Sequence, residues 1–224
     1  MIKNANALMP QSPRWETLRG RNFCSVVSDK ASLNCIYLIN FITIMTSNSI
    51  IKERQQPIIA SYIENPEAAW ITDMAIIEGK NLDDPLHTSV SINEELKVDF
   101  PIGVHRAVGG HHDFPNSGDL LCAALASCFD TALRMIANRL QITLIKTRVI
   151  ATANVDVRGT LMVDKEVPVG FQSMGLEIEI TVFNSVPTEL ADKLIKATER
   201  SCIVLQTLLR GTTVNVNASI IKTD

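Results

Sequence analysis

The sequence predicts an α+β fold in which an antiparallel sheet packs on two long helices. Several segments alternate apolar and polar residues with a period of two, and two long segments repeat their apolar residues with the period of a helix. Along the chain, strands come first and are followed by a helix, strands, a second helix and a last strand. The strands of a parallel α/β sheet would be continuous apolar runs, so the alternation favours antiparallel strands.

Six segments carry the strand pattern. The first three are short and are separated by Asn, Asp, Gly and Pro, which favour turns, so a small sheet is expected there. The last three place alternate apolar side chains on one face, as half-buried antiparallel strands do. In chain order the six segments are 70–79, 86–92, 95–101, 148–159, 176–183 and 213–220.

Each of the two predicted helices precedes a strand. The first spans about 119–140, follows the turn FPNSGD and has a length of about 33 Å at 1.5 Å per residue. The second runs from Pro187, a residue type common at helix starts, to Gly211, a type common just past helix ends. The first half of the first helix, LLCAALA, is apolar on every side, which indicates burial in a large core or across the subunit interface of an obligate dimer.

Composition limits the class of protein. The 224 residues are 46% hydrophobic with both charge signs mixed, which is typical of a soluble globular protein of one large or two small domains. The net charge of −3, the 5% aromatic content and the lack of a Lys/Arg run argue against nucleic-acid binding. The longest apolar run, 35–45, is about half as long as a membrane span, so no membrane association is expected.

The cysteines indicate a reducing, cytoplasmic setting. They are odd in number and widely spaced, unlike the disulfide framework of a secreted protein. The five are Cys24, Cys35, Cys122, Cys128 and Cys202.

The first 50 residues differ from the rest of the chain. They hold five basic and two acidic side chains without a clear apolar period, whereas 51–224 carries a net charge of −6 and regular patterns. We therefore expect 1–50 to be an N-terminal extension outside the fold and 51–224 to be the folded domain. Because Met45 opens the more regular part, one hypothesis is that 1–44 results from an early start codon, and an organellar targeting peptide is the alternative.

Two cysteines of the first helix have different environments. A rotation of about 100° per residue places Cys122 in the middle of the apolar stripe, and Cys128 between that stripe and the polar sector. Cys122 is therefore predicted to be a core residue. Cys128 borders a place that water or substrate can reach.

A reactive Cys128 would need a pKa below the value of about 8.5 of a free thiol, so a nearby positive charge is required. The helix dipole fades within the first turn, and Cys128 lies nine residues past Asp119. Its neighbours one turn away on the same helix are uncharged. The cation must come from another segment, and the candidates are His87, His105, Arg106 and Arg200.

Four segments of the sequence resemble a known protein family. The segments VGGHHDFPNSGDLLCAALASCFDTAL, VDVRGTL, VPVGFQSMGLEIEI and ATERSCIVLQTL resemble the OsmC/Ohr superfamily of thiol-dependent hydroperoxide reductases. The resemblance covers roughly 70–220. It implies an OsmC/Ohr-like fold over 51–224 and an intertwined homodimer.

The resemblance also implies a reaction and a set of site residues. Cys128 matches the peroxidatic cysteine and Cys202 the resolving one, so an organic hydroperoxide would oxidise Cys128 and an external dithiol would restore both thiols. Neither a metal nor an organic cofactor is implied. The family's activating Glu falls on Asp119, or on Gly118 in the register of the other family branch. The position of its activating Arg falls near His87, and Arg106 is the other candidate.

A small-molecule-binding protein on the same scaffold, with little or no peroxidase activity, is the alternative. The run His111–His112–Asp113 invites a metal-site interpretation, but adjacent histidines point apart in most loop conformations, so a metal is not expected.

Overall fold

The computed structural model describes residues 49–93 and 95–223. Most of the predicted N-terminal extension, with Cys24 and Cys35, therefore lies outside the described residues.

A helix that the sequence patterns did not reveal opens the described part. This helix, α1, spans Ile50–Glu64 and is followed by a short 3-10 helix, Pro66–Ala69. The Ser49 hydroxyl accepts a hydrogen bond from the Lys52 N–H and donates one to Asn138 Oδ1 at 2.8 Å. The N–H of Ile51 donates to the same oxygen at 3.2 Å. The Ser49 side chain that caps α1 thus also connects the start of α1 to the end of the central helix through Asn138.

Three short strands form an antiparallel sheet, as the sequence predicts. They are β1 (Ala75–Ile77), β2 (Thr88–Ile92) and β3 (Val98–Ile102), in the order β1-β2-β3. The register places Val90 opposite both Ile77 and Phe100, and Val90 is buried.

The central helix, α2, spans Ser117–Arg139 and agrees with the predicted helix to within two residues. It contacts α1, the following strand and both C-terminal helices. It is the one helix among the described residues that is long and apolar enough to span a membrane. The core helix of a soluble protein passes the same test, so length and composition alone are weak evidence for a span.

Two long strands follow and pair antiparallel: β4, Leu144–Asn154, and β5, Ser173–Val182. The predicted strand 148–159 was wrong beyond Asn154. There the chain leaves the sheet because the Gln172 side chain accepts from the Asp156 N–H at 2.6 Å, and the Asp156 side chain in turn accepts from the N–H of Arg158 at 3.1 Å. These side-chain bonds offer the backbone an alternative to the strand ladder.

The second predicted helix is in fact two helices, so a single helix over 187–211 was wrong. They are α3, Thr188–Ser201, and α4, Ile203–Arg210. Cys202 between them has an extended backbone with φ −74° and ψ 107°, and its sulfur accepts a hydrogen bond from the Leu205 N–H. Cys202 therefore ends one helix and caps the next.

The predicted strand 213–220 was also wrong, because residues 211–223 form no regular structure. A strand needs a neighbour for its backbone hydrogen bonds, and no described strand pairs with this segment. Its apolar side chains are highly exposed: Val214, Val216, Ile220 and Ile221.

The core has two buried clusters along α2. The first contains Leu133, Ala137, Ile142 and Leu194. The second, which we call the thiol cluster, contains Leu125, Phe129 and Cys202 and is covered by Cys128, α4 and the faces of β4 and β5. Helices packed on antiparallel strands confirm the predicted α+β class.

Candidate functional site

The structure brings Cys128 and Cys202 together although 74 residues separate them. Cys202 is completely buried, Cys128 is half-buried, and both are free thiols. Cys128 packs against the buried cluster that contains Cys202, and its thiol influences the pKa of Cys202. Two thiols in contact can interconvert with a disulfide, which is the chemistry that neither cysteine offers alone.

Each thiol is positioned by its own element. Cys128 lies on α2 beside the buried Phe129, and its other neighbour, Ser127, is exposed, so the thiol is at the border between core and surface. Cys202 lies at the junction of α3 and α4, where its Sγ accepts the Leu205 N–H at 3.5 Å. The break between the two helices thus fixes the direction of the Cys202 side chain toward α2.

The two thiols differ in their electrostatics. Burial raises the pKa of the Cys202 thiol above its ordinary value, the Leu205 N–H partly opposes this, and the neighbouring Cys128 adds to it. Cys202 is therefore a neutral thiol at pH 7. In this resting state Cys202 is a poor nucleophile.

Aliphatic side chains from the sheet pack against the thiol cluster. They come from the inward faces of β4 and β5 and include Val149, Ala151, Met174, Leu176 and Ile178. The two thiols therefore lie beside an apolar part of the core.

Asp119 lies at the start of α2 and caps the helix. Its Oδ2 accepts from the Asn116 N–H at 2.9 Å and from Asn116 Nδ2 at 2.7 Å, and its own N–H donates back to Asn116 Oδ1 at 3.3 Å. Nine residues of helix place Asp119 about 13 Å along the axis from Cys128. Within one chain, this carboxylate stabilises the helix end and does not contact the thiol.

His87 lies between two carboxylates. Its Nδ1 is 2.8 Å from Asp84 Oδ2 and its Nε2 is 3.0 Å from Asp113 Oδ2. The hydrogen bonds to Asp84 and then Asp113 raise the pKa of His87, because both favour the imidazolium. The ring also stacks on His111 and meets the edge of Phe114. His87 therefore joins the segment before β2 to the loop that leads into α2.

The other predicted cations are exposed. Arg106 lies in a short 3-10 helix, Arg106–Val108, and forms no ion pair with any residue in the described part of the chain. His105 accepts from the Ala107 N–H at 3.0 Å through Nδ1. Arg200 is exposed on α3. The catalytic roles of Asp119, His87 and Arg106 stay predictions, since in one chain their described contacts are with other residues.

The adjacent histidines His111 and His112 point apart, as the sequence reasoning expected. His111 stacks on His87, and His112 packs edge-on against His105 with ring centroids 4.6 Å apart. Over residues 49–93 and 95–223, no group of three or more His, Cys, Asp or Glu side chains is arranged to hold a metal ion.

Cys122 was predicted to be a core residue, and this was wrong for the single chain. It is half-buried, and the next two residues, Ala123 and Ala124, are exposed. The cause is that the described elements cover the first two turns of α2 only in part, and Leu125 is the first buried residue of this helix. The helical angles correctly predicted which side of α2 is apolar. They could not predict how much of that side other elements bury.

Sequence reasoning also missed the partners of His87. Asp84 was assigned no role in the sequence analysis, and Asp113 was considered only beside its neighbouring histidines. Both form ion pairs with the imidazole in the structure. No sequence spacing signals a contact between residues 87 and 113, which belong to separate loops.

The chain folds into an α+β domain that contains a pair of thiols. Cys128 lies at the border between core and surface on α2, and Cys202 is buried at the junction of α3 and α4. The antiparallel strands β4 and β5 lie between them in the sequence. The family model for OsmC-like protein matches residues 110–217, a range that contains both cysteines. The chain therefore carries an OsmC-like domain over residues 110–217, which agrees with the resemblance in its sequence.

Solved structures are similar to this chain, and the first of the three that follow shows the same fold. An OsmC-like protein of unknown function from Vibrio cholerae is similar with a TM-score of 0.50 and 10% identity, over 62% of this chain and 94% of that one. An organic hydroperoxide resistance protein OsmC from Legionella pneumophila gives 0.48 and 21%, over 64% and 92%. An OsmC-like protein from Mycoplasma pneumoniae gives 0.48 and 15%, over 68% and 98%. No curated protein matches the sequence. At these identities the likeness is one of fold.

Proposed function

We propose that this protein is a cysteine-based hydroperoxide reductase that acts on organic or fatty-acid hydroperoxides in oxidative-stress defence. The observation that supports it most is the contact between the half-buried Cys128 and the fully buried Cys202. Cys128 is the peroxidatic cysteine and Cys202 the resolving one. The OsmC-like domain over 110–217, which contains both cysteines, agrees with this role.

The reaction proceeds in three steps. The Cys128 thiolate attacks the outer oxygen of the hydroperoxide, the O–O bond breaks, and the alkoxide leaves as the alcohol after taking up a proton, so Cys128 becomes a sulfenic acid. The Cys202 sulfur then attacks the Cys128 sulfur, water is released, and the two cysteines form a disulfide. An external dithiol gives two electrons and two protons and restores both thiols.

The surroundings of the thiols support an apolar substrate. Aliphatic side chains of β4 and β5, including the partly buried Met174 and Leu176, pack against the thiol cluster. Burying a hydrocarbon chain against such a surface is favourable by about 25 cal/mol per Å². Hydrogen peroxide has no apolar group that could gain from this contact, so organic hydroperoxides should be the better substrates.

A homodimer is part of the proposal. The first half of α2 is apolar on every side, yet Ala123 and Ala124 are exposed, and the apolar residues of 213–221 have no cover in one chain. A second copy that covers these surfaces would also be the source of any activating groups from Asp119, His87 or Arg106 of the other subunit. We place this dimer in the cytoplasm, with no nucleic-acid or membrane partner.

The test is the rate at which cumene hydroperoxide or a fatty-acid hydroperoxide is consumed in the presence of a dithiol. Cys128→Ser should abolish turnover. Cys202→Ser should leave one oxidation event per chain but slow the cycle, because no disulfide can form. A wild-type protein that turns over no faster than Cys128→Ser would refute the enzyme proposal. Cys122→Ser is the control variant, and it should keep the wild-type rate of turnover.

One observation favours a second candidate, a small-molecule-binding protein on the same scaffold. The carboxylate of Asp119 is engaged in the helix cap and does not contact Cys128 within the chain. If no other group activates Cys128, its thiol should alkylate only near pH 8.5, the ordinary thiol range. Alkylation that is already fast at pH 7 would instead support the reductase.

A further inference from the structure

We propose that the Cys128–Cys202 disulfide is reduced by attack of the external thiol on the sulfur of Cys128, with Cys202 as the leaving group. This inference rests on the proposed function, since it concerns the last step of that cycle. The two sulfurs are chemically equivalent in the disulfide, but the proposal makes one the attacked atom and the other the leaving group.

Access decides which sulfur is attacked. The attacking thiolate must approach in line with the S–S bond, from the side opposite the leaving sulfur. Cys202 is 0% exposed and is packed in the thiol cluster with Leu125 and Phe129. Cys128 is half-buried and has the exposed Ser127 as its neighbour on the helix. Association with another copy can only add cover to Cys202, so its sulfur stays inaccessible in an assembly.

The helix junction offsets only part of the cost that burial places on a Cys202 thiolate, so access, and not the stability of the leaving thiolate, selects the sulfur that is attacked. Cys202 is the N-cap residue of α4, and its Sγ accepts the Leu205 N–H at 3.5 Å. The first N–H groups of a helix have no partner within the helix and carry partial positive charge. A thiol leaves faster when its thiolate is stabilised. Within the described part of the chain, no helix begins at Cys128, which lies inside α2.

The bonds and electrons balance in two exchanges. In the first, the external thiolate forms a bond to the Cys128 sulfur, the S–S bond breaks, and its electron pair goes to Cys202, which then takes a proton. In the second, another external thiolate attacks the external sulfur of the mixed disulfide and releases Cys128 as a thiolate. Two thiols are oxidised to one disulfide, and the protein disulfide is reduced by two electrons.

The experiment identifies the cysteine that carries the mixed disulfide. The full-length Cys122→Ser protein is used, because trypsin then gives one peptide with Cys128, 107–134, and another with Cys202, 201–210. Diamide forms the disulfide, so the test does not depend on peroxide turnover. Brief treatment with the monothiol cysteamine, an acid quench and alkylation of free thiols with N-ethylmaleimide precede digestion and mass spectrometry.

We expect cysteamine on 107–134 and N-ethylmaleimide on 201–210, at least tenfold over the reverse pattern. Cysteamine on 201–210 would overturn this inference and leave the reductase proposal intact. A protein in which diamide forms no bond between these two peptides would overturn both this inference and the resolving role of Cys202. Loss of hydroperoxide turnover in the wild type, with a normal cysteamine pattern, would refute the reductase proposal alone.

Discussion

Asn116 and Asp119 form a reciprocal capping box at the start of α2. The Asn116 side chain accepts the N–H of Asp119, and the Asp119 carboxylate accepts the N–H of Asn116. Two of the N–H groups at this helix end thereby find partners that the helix cannot supply. The same Asp119 matches a catalytic position of the family, so its two possible roles need separate tests.

The capping role predicts a loss of stability. Asn116→Ala should lower the free energy of unfolding by about 1 kcal/mol, because the cap is removed. Asp119→Glu should keep most of the stability, because Glu at the third helical position also closes a capping box. Urea unfolding of the three proteins measures both. If Asp119→Glu lowered the free energy of unfolding as much as Asn116→Ala does, the capping-box role of Asp119 would be contradicted.

The activating role predicts a different readout. If Asp119 also assists Cys128, Asp119→Ala should slow alkylation of Cys128 at pH 7, whereas Asn116→Ala should not. Both variants lose the capping box, so they are matched in stability. Equal alkylation rates in the two variants would limit Asp119 to its structural role.

The His87 ion pairs predict a pH dependence of stability. The pKa of His87 is raised in the folded protein, so the stabilisation is fully present below the unfolded value of about 6.5 and is lost as the pH rises through the folded value. Asp113→Asn removes one partner of the imidazole. The difference in unfolding free energy between wild type and Asp113→Asn should therefore be larger at pH 6 than at pH 9.

The control for that measurement is Asp99→Asn. Asp99 is exposed on β3 and forms no ion pair within the described residues. Its effect should be small and nearly the same at both pH values. A pH-independent effect of Asp113→Asn would show that the His87 contact does not couple protonation to folding.

The loop between β4 and β5 predicts a steric effect. Gly159 is buried, and a Cβ there would lie 2.6 Å from the carbonyl oxygen of Val167. Gly159→Ala should cost about 1–3 kcal/mol of unfolding free energy, because backbone must move. Gly170→Ala is the matched control in the same loop, since nothing lies within 4 Å of its Cβ position. Thermal or urea unfolding should show a clear loss only for Gly159→Ala.

The sequence predicted much of the secondary structure because its signals are local. The alternation of β4 and β5 and the apolar period of α2 each depend on neighbours within a few residues. The break at Cys202 was missed because an apolar period continues across it, and a sulfur that accepts the Leu205 N–H leaves no trace in that period. The strand at 213–220 has the correct alternation, but a strand also needs an edge to pair with, and no described edge is adjacent.

Part of the candidate site was also predictable, because it depends on local sequence signals. The border position of Cys128 follows from helical angles, whereas its partner Cys202 came only from the family resemblance. The contacts of His87 with Asp84 and Asp113 depend on how two loops meet in space. Helix α1 was missed because Pro57 and its scattered polar residues obscure an apolar stripe, and its start is fixed by the distant Asn138.

The central claim is that a hydroperoxide oxidises Cys128 and that Cys202 resolves the product. The most direct measurement treats the Cys122→Ser protein, with and without Cys202→Ser, with one equivalent of cumene hydroperoxide and traps sulfenic acid with dimedone. We predict a dimedone adduct on peptide 107–134 when Cys202 is replaced, and a disulfide between 107–134 and 201–210 when it is present. No adduct and no disulfide, or an adduct on a cysteine other than Cys128, would contradict the claim.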